Sequence, residues 1–329
     1  TEGRGNPCRI ALIALVVVAA WPAVASEPPT AVNRPVRVER SAPVTPVAFN
    51  GDVRDLPAPP RWIPGEPVRE IPRRAFLRPG TPPVPDYATG MDPLALRQRE
   101  LAPRRGGGTF TTPSRNFEGL PFSGVNPPDP VGDVGPNHYL QSTNTGGGSI
   151  VRIFDKAEPT PNQIAEFSMD SLATGACTSG FSDPIVLYDR HADRWFLSEF
   201  ATGGNTLCLY VSQTGDPVSG GWNFYEFVTP SFPDYPKYGI WPTDSNGGMG
   251  SYVATANESS PSVLAFDRGA MLAGTAATFQ RFTLSDLPGF NFQTATPADL
   301  DGPLVPPATS PAVIMRHRDT ENHAGPAVA

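Results

Sequence analysis

From residue 116 onward the hydrophobic positions fall in short runs separated by glycine, proline and aspartate turns, and none is sustained at helical spacing. Ile185-Val186-Leu187-Tyr188, a turn over 189–193, and Arg194-Trp195-Phe196-Leu197 predict a β-hairpin. Three pairs of runs align with one another. Ile150-Val151-Arg152-Ile153-Phe154-Asp155 leads to Ile164-Ala165-Glu166-Phe167, Leu207-Cys208-Leu209-Tyr210-Val211 to Phe224-Tyr225-Glu226-Phe227, and Val263-Leu264-Ala265-Phe266-Asp267 to Phe279-Gln280-Arg281-Phe282. Their starts lie roughly 56 residues apart, the spacing of a four-stranded β unit with one long loop. Further strand candidates precede each pair, at 138–142, in the Ile185 hairpin, and at 238–241 and 252–255. A fourth unit opens near Pro297 and includes Val313-Ile314-Met315.

One four-stranded sheet cannot bury both of its faces, so such units must stack on neighbours. The expected fold is all-β: a partial β-propeller of about three to four four-stranded blades over residues 116–329. A ring of six to eight units at this period needs roughly 340 to 450 residues, so the blades are expected to form an arc cut short at the C-terminal end. A closed four-bladed ring is the competing architecture.

Residues 26–110 have a different character. Prolines and arginines cluster at Ala58-Pro59-Pro60, Thr81-Pro82-Pro83 and Arg104-Arg105 without apolar periodicity, and Gly106-Gly107-Gly108 marks the end of the stretch. Proline removes backbone donors and disfavours helix before it, so an extended, mobile linker or propeptide is expected. Ahead of it, Arg4 and Arg9 precede an apolar run over 10–20, and Ala23-Val24-Ala25 supplies a small-residue cleavage pattern. Residues 1–25 therefore predict a signal peptide and a secreted product, extracellular or periplasmic, with no membrane span in the mature chain.

Composition sharpens this picture in two respects. Forty-one prolines and thirty-two glycines suit a loop-rich β protein, and a net charge of -7 without a clustered basic face argues against nucleic acid. Of the three cysteines, Cys177 and Cys208 follow the predicted cleavage site. In an oxidising compartment the pair is most simply a disulfide, two buried thiols being the other possibility.

The segments Pro127-Pro128-Asp129-Pro130-Val131-Gly132-Asp133-Val134-Gly135-Pro136-Asn137-His138-Tyr139, Ser182-Asp183-Pro184-Ile185-Val186-Leu187-Tyr188-Asp189, Phe232-Pro233-Asp234-Tyr235-Pro236-Lys237-Tyr238-Gly239 and Arg316-His317-Arg318-Asp319 carry a resemblance. Together they resemble bacterial secreted propeller-like proteins, loosely related to the sialidase-type propeller superfamily. The resemblance spans about residues 116–323 and implies a secreted β-propeller with no activity common to the group. The stretch Thr243-Asp244-Ser245-Asn246-Gly247-Gly248-Met249-Gly250 departs from it as an enlarged turn.

Acidic residues recur where each unit begins: Asp129 and Asp133, Asp183, Asp234, then Asp299 and Asp301. In a propeller the entries to successive innermost strands converge, so these residues with Lys237 form the candidate ligand-binding set. Converging carboxylates suit calcium, with Asp129 and Asp133 as the nearest thing to a loop of alternating ligands. They also suit acid/base work on a sugar, with Asp133, Asp183 and Asp234 as the candidate catalytic acids. The plainest alternative is turn capping by aspartate before proline or glycine. Glu199 is expected on a solvent-facing strand position, and Trp195, Tyr210, Trp222, Phe224 and Trp241 in packing between units. The histidines show no metal spacing, and no nucleophile elbow, phosphate loop or dinucleotide fingerprint is present. The expected function is a binding module for an extracellular glycan, surface polymer or protein. A propeller-type glycoside hydrolase is the alternative.

Overall fold

From residue 131 onward the apolar runs become strands, and within each four-stranded meander successive strands pair antiparallel. The computed structural model describes residues 37–71, 115–157, 161–202, 204–244, 246–285, 295–300 and 302–316, all within one unit, Val36–Ala329. The predicted signal peptide, the linker beyond residue 71, Asp301, His317, Arg318 and Asp319 lie outside the described residues.

Four short strands come first: β1 (Glu39–Arg40), β2 (Val47–Phe49), β3 (Arg69–Glu70) and β4 (Val125–Asn126). A first sheet follows in simple order, β5 (Val131–Val134), β6 (His138–Thr145), β7 (Gly148–Asp155) and β8 (Asn162–Ser168). The second comprises β9 (Gly180–Asp189), β10 (Arg194–Ala201), β11 (Thr206–Ser212) and β12 (Trp222–Val228), and the third β13 (Asp234–Trp241), β14 (Ser251–Asn257), β15 (Pro261–Asp267) and β16 (Phe279–Thr283). Between the last two strands sits a single-turn helix, α1 (Arg268–Leu272), and a fourth sheet is represented by β17 (Thr296–Pro297) and β18 (Ile314–Met315). The chain is thus all-β with several antiparallel sheets, none closed on itself. The three aligned sequence pairs are β7–β8, β11–β12 and β15–β16.

Alternate residues of a strand point to opposite sides, and in the second and third sheets both sides are apolar. In β10, Trp195 and Leu197 join Leu140, Ile153 and Phe167 of the first sheet in one core, while Phe196 joins Tyr238, Tyr252 and Phe266 of the third sheet in another. A smaller core of Trp241, Val253 and Val263 packs against Ala298 and Ile314 of the fourth sheet. Trp195, Tyr210, Trp222, Phe224 and Trp241 are all buried, as expected of residues packing between units. The Cys177–Cys208 disulfide is formed, tying the turn after β8 to β11 across 31 residues with a Cα separation of 5.8 Å.

Residues 37–71 differ from the mobile linker expected there. They are extended, as their prolines require, but held against three sheets in reverse order. β1 pairs with β16 and Val44 bridges Ala277; β2 then pairs with β12, placing Phe49 opposite Trp222. Val53 is fully buried in the core between the first two sheets and donates its N–H to Val218 O at 2.9 Å. Finally β3 runs parallel to β4. The physical reason is that β12 and β16 are outermost in their sheets, and an outermost strand presents a row of unpaired backbone groups. The strap supplies partners that no residue within the strap signals.

Between the second and third sheets lies a fully buried ion pair. Arg268, leading into α1, donates Nε and Nη2 to the two oxygens of Asp189 at 2.6 and 2.9 Å, and Tyr252 Oη donates to the same carboxylate at 3.0 Å. Its remaining nitrogen donates to Met249 O at 2.6 Å, so the pair is satisfied as well as buried. Among the described residues no helix is long and apolar enough to cross a membrane.

Two outcomes follow. Arg268→Ala leaves the Asp189 carboxylate buried without its cation and should cost about 3–5 kcal/mol in urea unfolding. Deleting residues 37–55 should raise amide exchange selectively along β12 and β16 and produce self-association in light scattering; unchanged exchange there would show that the strap does not protect those edges.

Candidate functional site

The first strands β5, β9 and β13 lie side by side, with β9 touching both others. Their entries share an unusual backbone. Asp129, Asp183 and Tyr235 have φ of +43, +56 and +53°, and each is followed by proline, Pro130, Pro184 or Pro236. A left-handed conformation costs an L-residue about 1–2 kcal/mol, least for Asp and Asn and more for a tyrosine. The proline that follows disfavours the right-handed alternative. The same bent entry is therefore built three times.

Asn144 joins the first two entries, and Lys237 packs within the third. Asn144, fully buried at the end of β6, donates Nδ2 to Asp129 Oδ2 at 2.9 Å and to Pro127 O at 3.0 Å. Its Oδ1 accepts the Asp183 N–H at 3.0 Å, joining the first entry to the second. Lys237, on the third, lies 3.8 Å from the centre of the Tyr235 ring and donates to Pro236 O at 3.3 Å.

The electrostatics bring Asp129, Asp183, Asp234 and Lys237 together. Burial pushes the Asp183 carboxyl up to about 6, the negative charges of Asp129 and Asp234 push the same way, and Lys237 opposes them. Burial lowers Lys237 from the ordinary lysine value, while the same three carboxylates oppose that shift. Asp183 is thus ionised only above mildly acidic pH, beside a lysine partly stripped of water.

The other predicted residues have different tasks. Asp133 accepts Tyr188 N–H of the second sheet at 2.7 Å and its neighbour Val134 N–H at 2.6 Å. Asp299 does the equivalent work one interface further on, accepting Ile240 N–H of the third sheet at 2.8 Å and Leu300 N–H at 3.0 Å. These carboxylates join sheet to sheet. The calcium reading of Asp129 with Asp133 finds no support in this arrangement, because Asp129 is turned to Asn144 and Asp133 to backbone donors. Among the described residues no group of three or more His, Cys, Asp or Glu is placed to hold a metal ion.

Asn144 and Tyr235 escape sequence reasoning. Asn144 ends a long strand with no local peculiarity. Tyr235 was detectable, since Tyr235-Pro236 stands where Asp129-Pro130 and Asp183-Pro184 stand in the earlier units, with Asp234 displaced by one residue at a β-irregularity.

A second acidic group lies inside the protein. Glu199, expected to face solvent, is fully buried and is joined by Tyr210, whose Oη donates to Glu199 Oε1 at 3.4 Å. Asp170 faces it across Gly180, whose N–H donates to Asp170 Oδ1 at 2.9 Å. A Cβ on Gly180 would lie 2.5 Å from Glu199 Oε2 and 2.6 Å from Asp170 Oδ1, so only glycine leaves room for both carboxyls. Burial raises Glu199 well above the usual carboxylate range, with the Asp170 charge adding to it, and burial also raises Asp170. With Glu199 completely enclosed, the pair serves the packing of the first two sheets.

No family model, curated protein or solved structure matches this chain.

The buried pair sets a pH dependence. Unfolded carboxylates ionise near pH 4, whereas Glu199 resists ionisation in the fold, so rising pH above about 4 favours the unfolded chain until the raised folded value is passed. Glu199→Gln removes that liability. The variant should melt higher than the parent at pH 8 and no higher at pH 4; a lower melting temperature at pH 8 would mean that the ionised form is the one the fold requires.

Proposed function

We propose that the three meanders are successive blades of a β-propeller and that the chain is a secreted module binding a hydroxyl-rich glycan at the mouth formed by their first strands. The observation that carries this reading is the threefold entry: the same left-handed residue before proline in each sheet, delivering Asp129, Asp183 and Asp234 around Lys237. Strained backbone persists only where its surroundings over-determine it, and it concentrates at binding sites. Carboxylates accept sugar hydroxyls, the ammonium donates to them, and the exposed Tyr235 ring offers an apolar face. The disulfide supports an oxidising compartment.

A second reading has one observation in its favour. A carboxyl raised to about 6 beside two other carboxylates is the environment of a general acid, so Asp183 with Asp129 or Asp234 suits a glycoside hydrolase.

Calorimetric titration with cellohexaose, xylohexaose and chitohexaose tests both. A glycan that binds should bind more tightly as pH rises through about 6, because ionised Asp183 is the acceptor. Asp183→Asn should flatten that dependence, and Lys237→Ala should weaken binding about tenfold or more, the loss of a charge-assisted hydrogen bond. Release of reducing sugar that disappears in Asp183→Asn would favour the hydrolase. Failure of every glycan to bind would remove the proposal.

A further inference from the structure

A separate groove of about 420 Å³ lies against the first sheet. Leu140, Val151, Ile153 and Phe167 of that sheet face the second sheet, so by alternation Arg152 and Glu166 face the other way, into the groove. Its opposite wall comes from the strap and from the segment before β4, chiefly Trp62 and Phe122, with Pro60, Pro64 and Pro121.

The aromatic wall is rigid. Ile63-Pro64-Gly65-Glu66 is a tight turn closed by Glu66 N–H donating to Ile63 O at 3.0 Å, with Gly65 at φ +104° as the third residue of a type II turn requires. Trp62 Nε1 donates to Glu66 O at 3.2 Å, and the indole lies so close to Gly124 that a Cβ there would be 2.2 Å from Trp62 Cδ1. The Phe122 ring meets Trp62 edge to face, 5.1 Å between centres at 80°. Phe122 is 44% exposed. An aromatic surface fixed in advance loses little freedom when a ligand arrives.

The groove also carries an unequal charge. Arg152 is committed, donating to Glu166 Oε2 at 2.6 Å and to Gly119 O at 2.9 Å. Arg61 reaches the other Glu166 oxygen only at 3.4 Å, and its side chain is 69% exposed. Two guanidiniums thus flank one carboxylate, and the exposed one retains donors for a planar anion.

We propose that this groove binds an acidic polysaccharide of the uronic-acid class. The apolar face of a sugar ring lies on Trp62 and Phe122, and its carboxylate takes two N–H groups of Arg61. One ligand residue supplies both features, and its charge balances the excess cation. The site stands on residues outside the Asp129, Asp183, Asp234 and Lys237 cluster, so its success or failure is independent of the function proposed above.

Calorimetry of the full chain with hexagalacturonate, cellohexaose and an acidic proline-rich peptide tests it. Hexagalacturonate should bind preferentially, and more weakly as salt is raised. Arg61→Gln, at an exposed position that leaves folding intact, should lower that affinity about tenfold or more, the loss of a charge-assisted bidentate contact. Phe122→Ala should weaken it as well, while Asp183→Asn should leave it unchanged. Equal affinity for cellohexaose, tighter binding of the peptide, no binding of hexagalacturonate, or indifference to Arg61→Gln would each overturn the proposal.

Discussion

The second and third sheets each have two apolar faces, and much of the rest of the structure follows from having to cover both. β11 has all seven of its residues buried, and β10 sends tryptophan and leucine to one side and phenylalanine to the other. No such sheet is stable by itself, so the units stack and two large aromatic cores form between them. Stacking covers faces but leaves edges. Residues 37–55 of the strap then cross the outer strands of the third and second sheets and seat Val53 between the second and the first.

Several polar groups between the sheets are held by directional contacts. Asp189 meets Arg268 in a two-point contact that Tyr252 completes, and Arg281 is held by Glu258 within the third sheet's surroundings and by Glu39 of the strap at 2.8 Å. Ser198 Oγ donates to Tyr238 Oη at 3.0 Å, linking the second sheet to the third. Apolar faces slide past one another at little cost, whereas directional bonds fix one register. Glu199 and Asp170 represent the opposite case, two neighbouring carboxyls that burial raises above the usual carboxylate range.

The entry cluster arises from the same stacking. Sheets packed side by side bring their first strands together, and a bent entry at each strand turns its aspartate toward the common region. The bends carry a backbone cost in all three sheets, while Asn144 and the packing of the strands hold them in place. Asp133 on β5 and Asp299 just beyond β17 bond backbone N–H groups of the adjoining sheet, so the recurring carboxylates divide into joints between sheets and the half-buried group around Lys237.

What the sequence determined by itself was local: the strands, their order, the period of the units, the two cysteines and the recurrence of aspartate before proline. Alternation and turn chemistry act over a few residues and are visible without a partner. The tertiary structure alone decided the rest. The strap was illegible because its strands are two or three residues long, and the demand for them comes from the edges of β12 and β16, far away in sequence. Glu199 has the alternation of an exposed residue, and only the missing side chain of Gly180 and the approach of Asp170 explain its burial. Which aspartates face one another depended on where the N–H groups of a neighbouring sheet fall, a distance between segments that no stretch of either segment encodes.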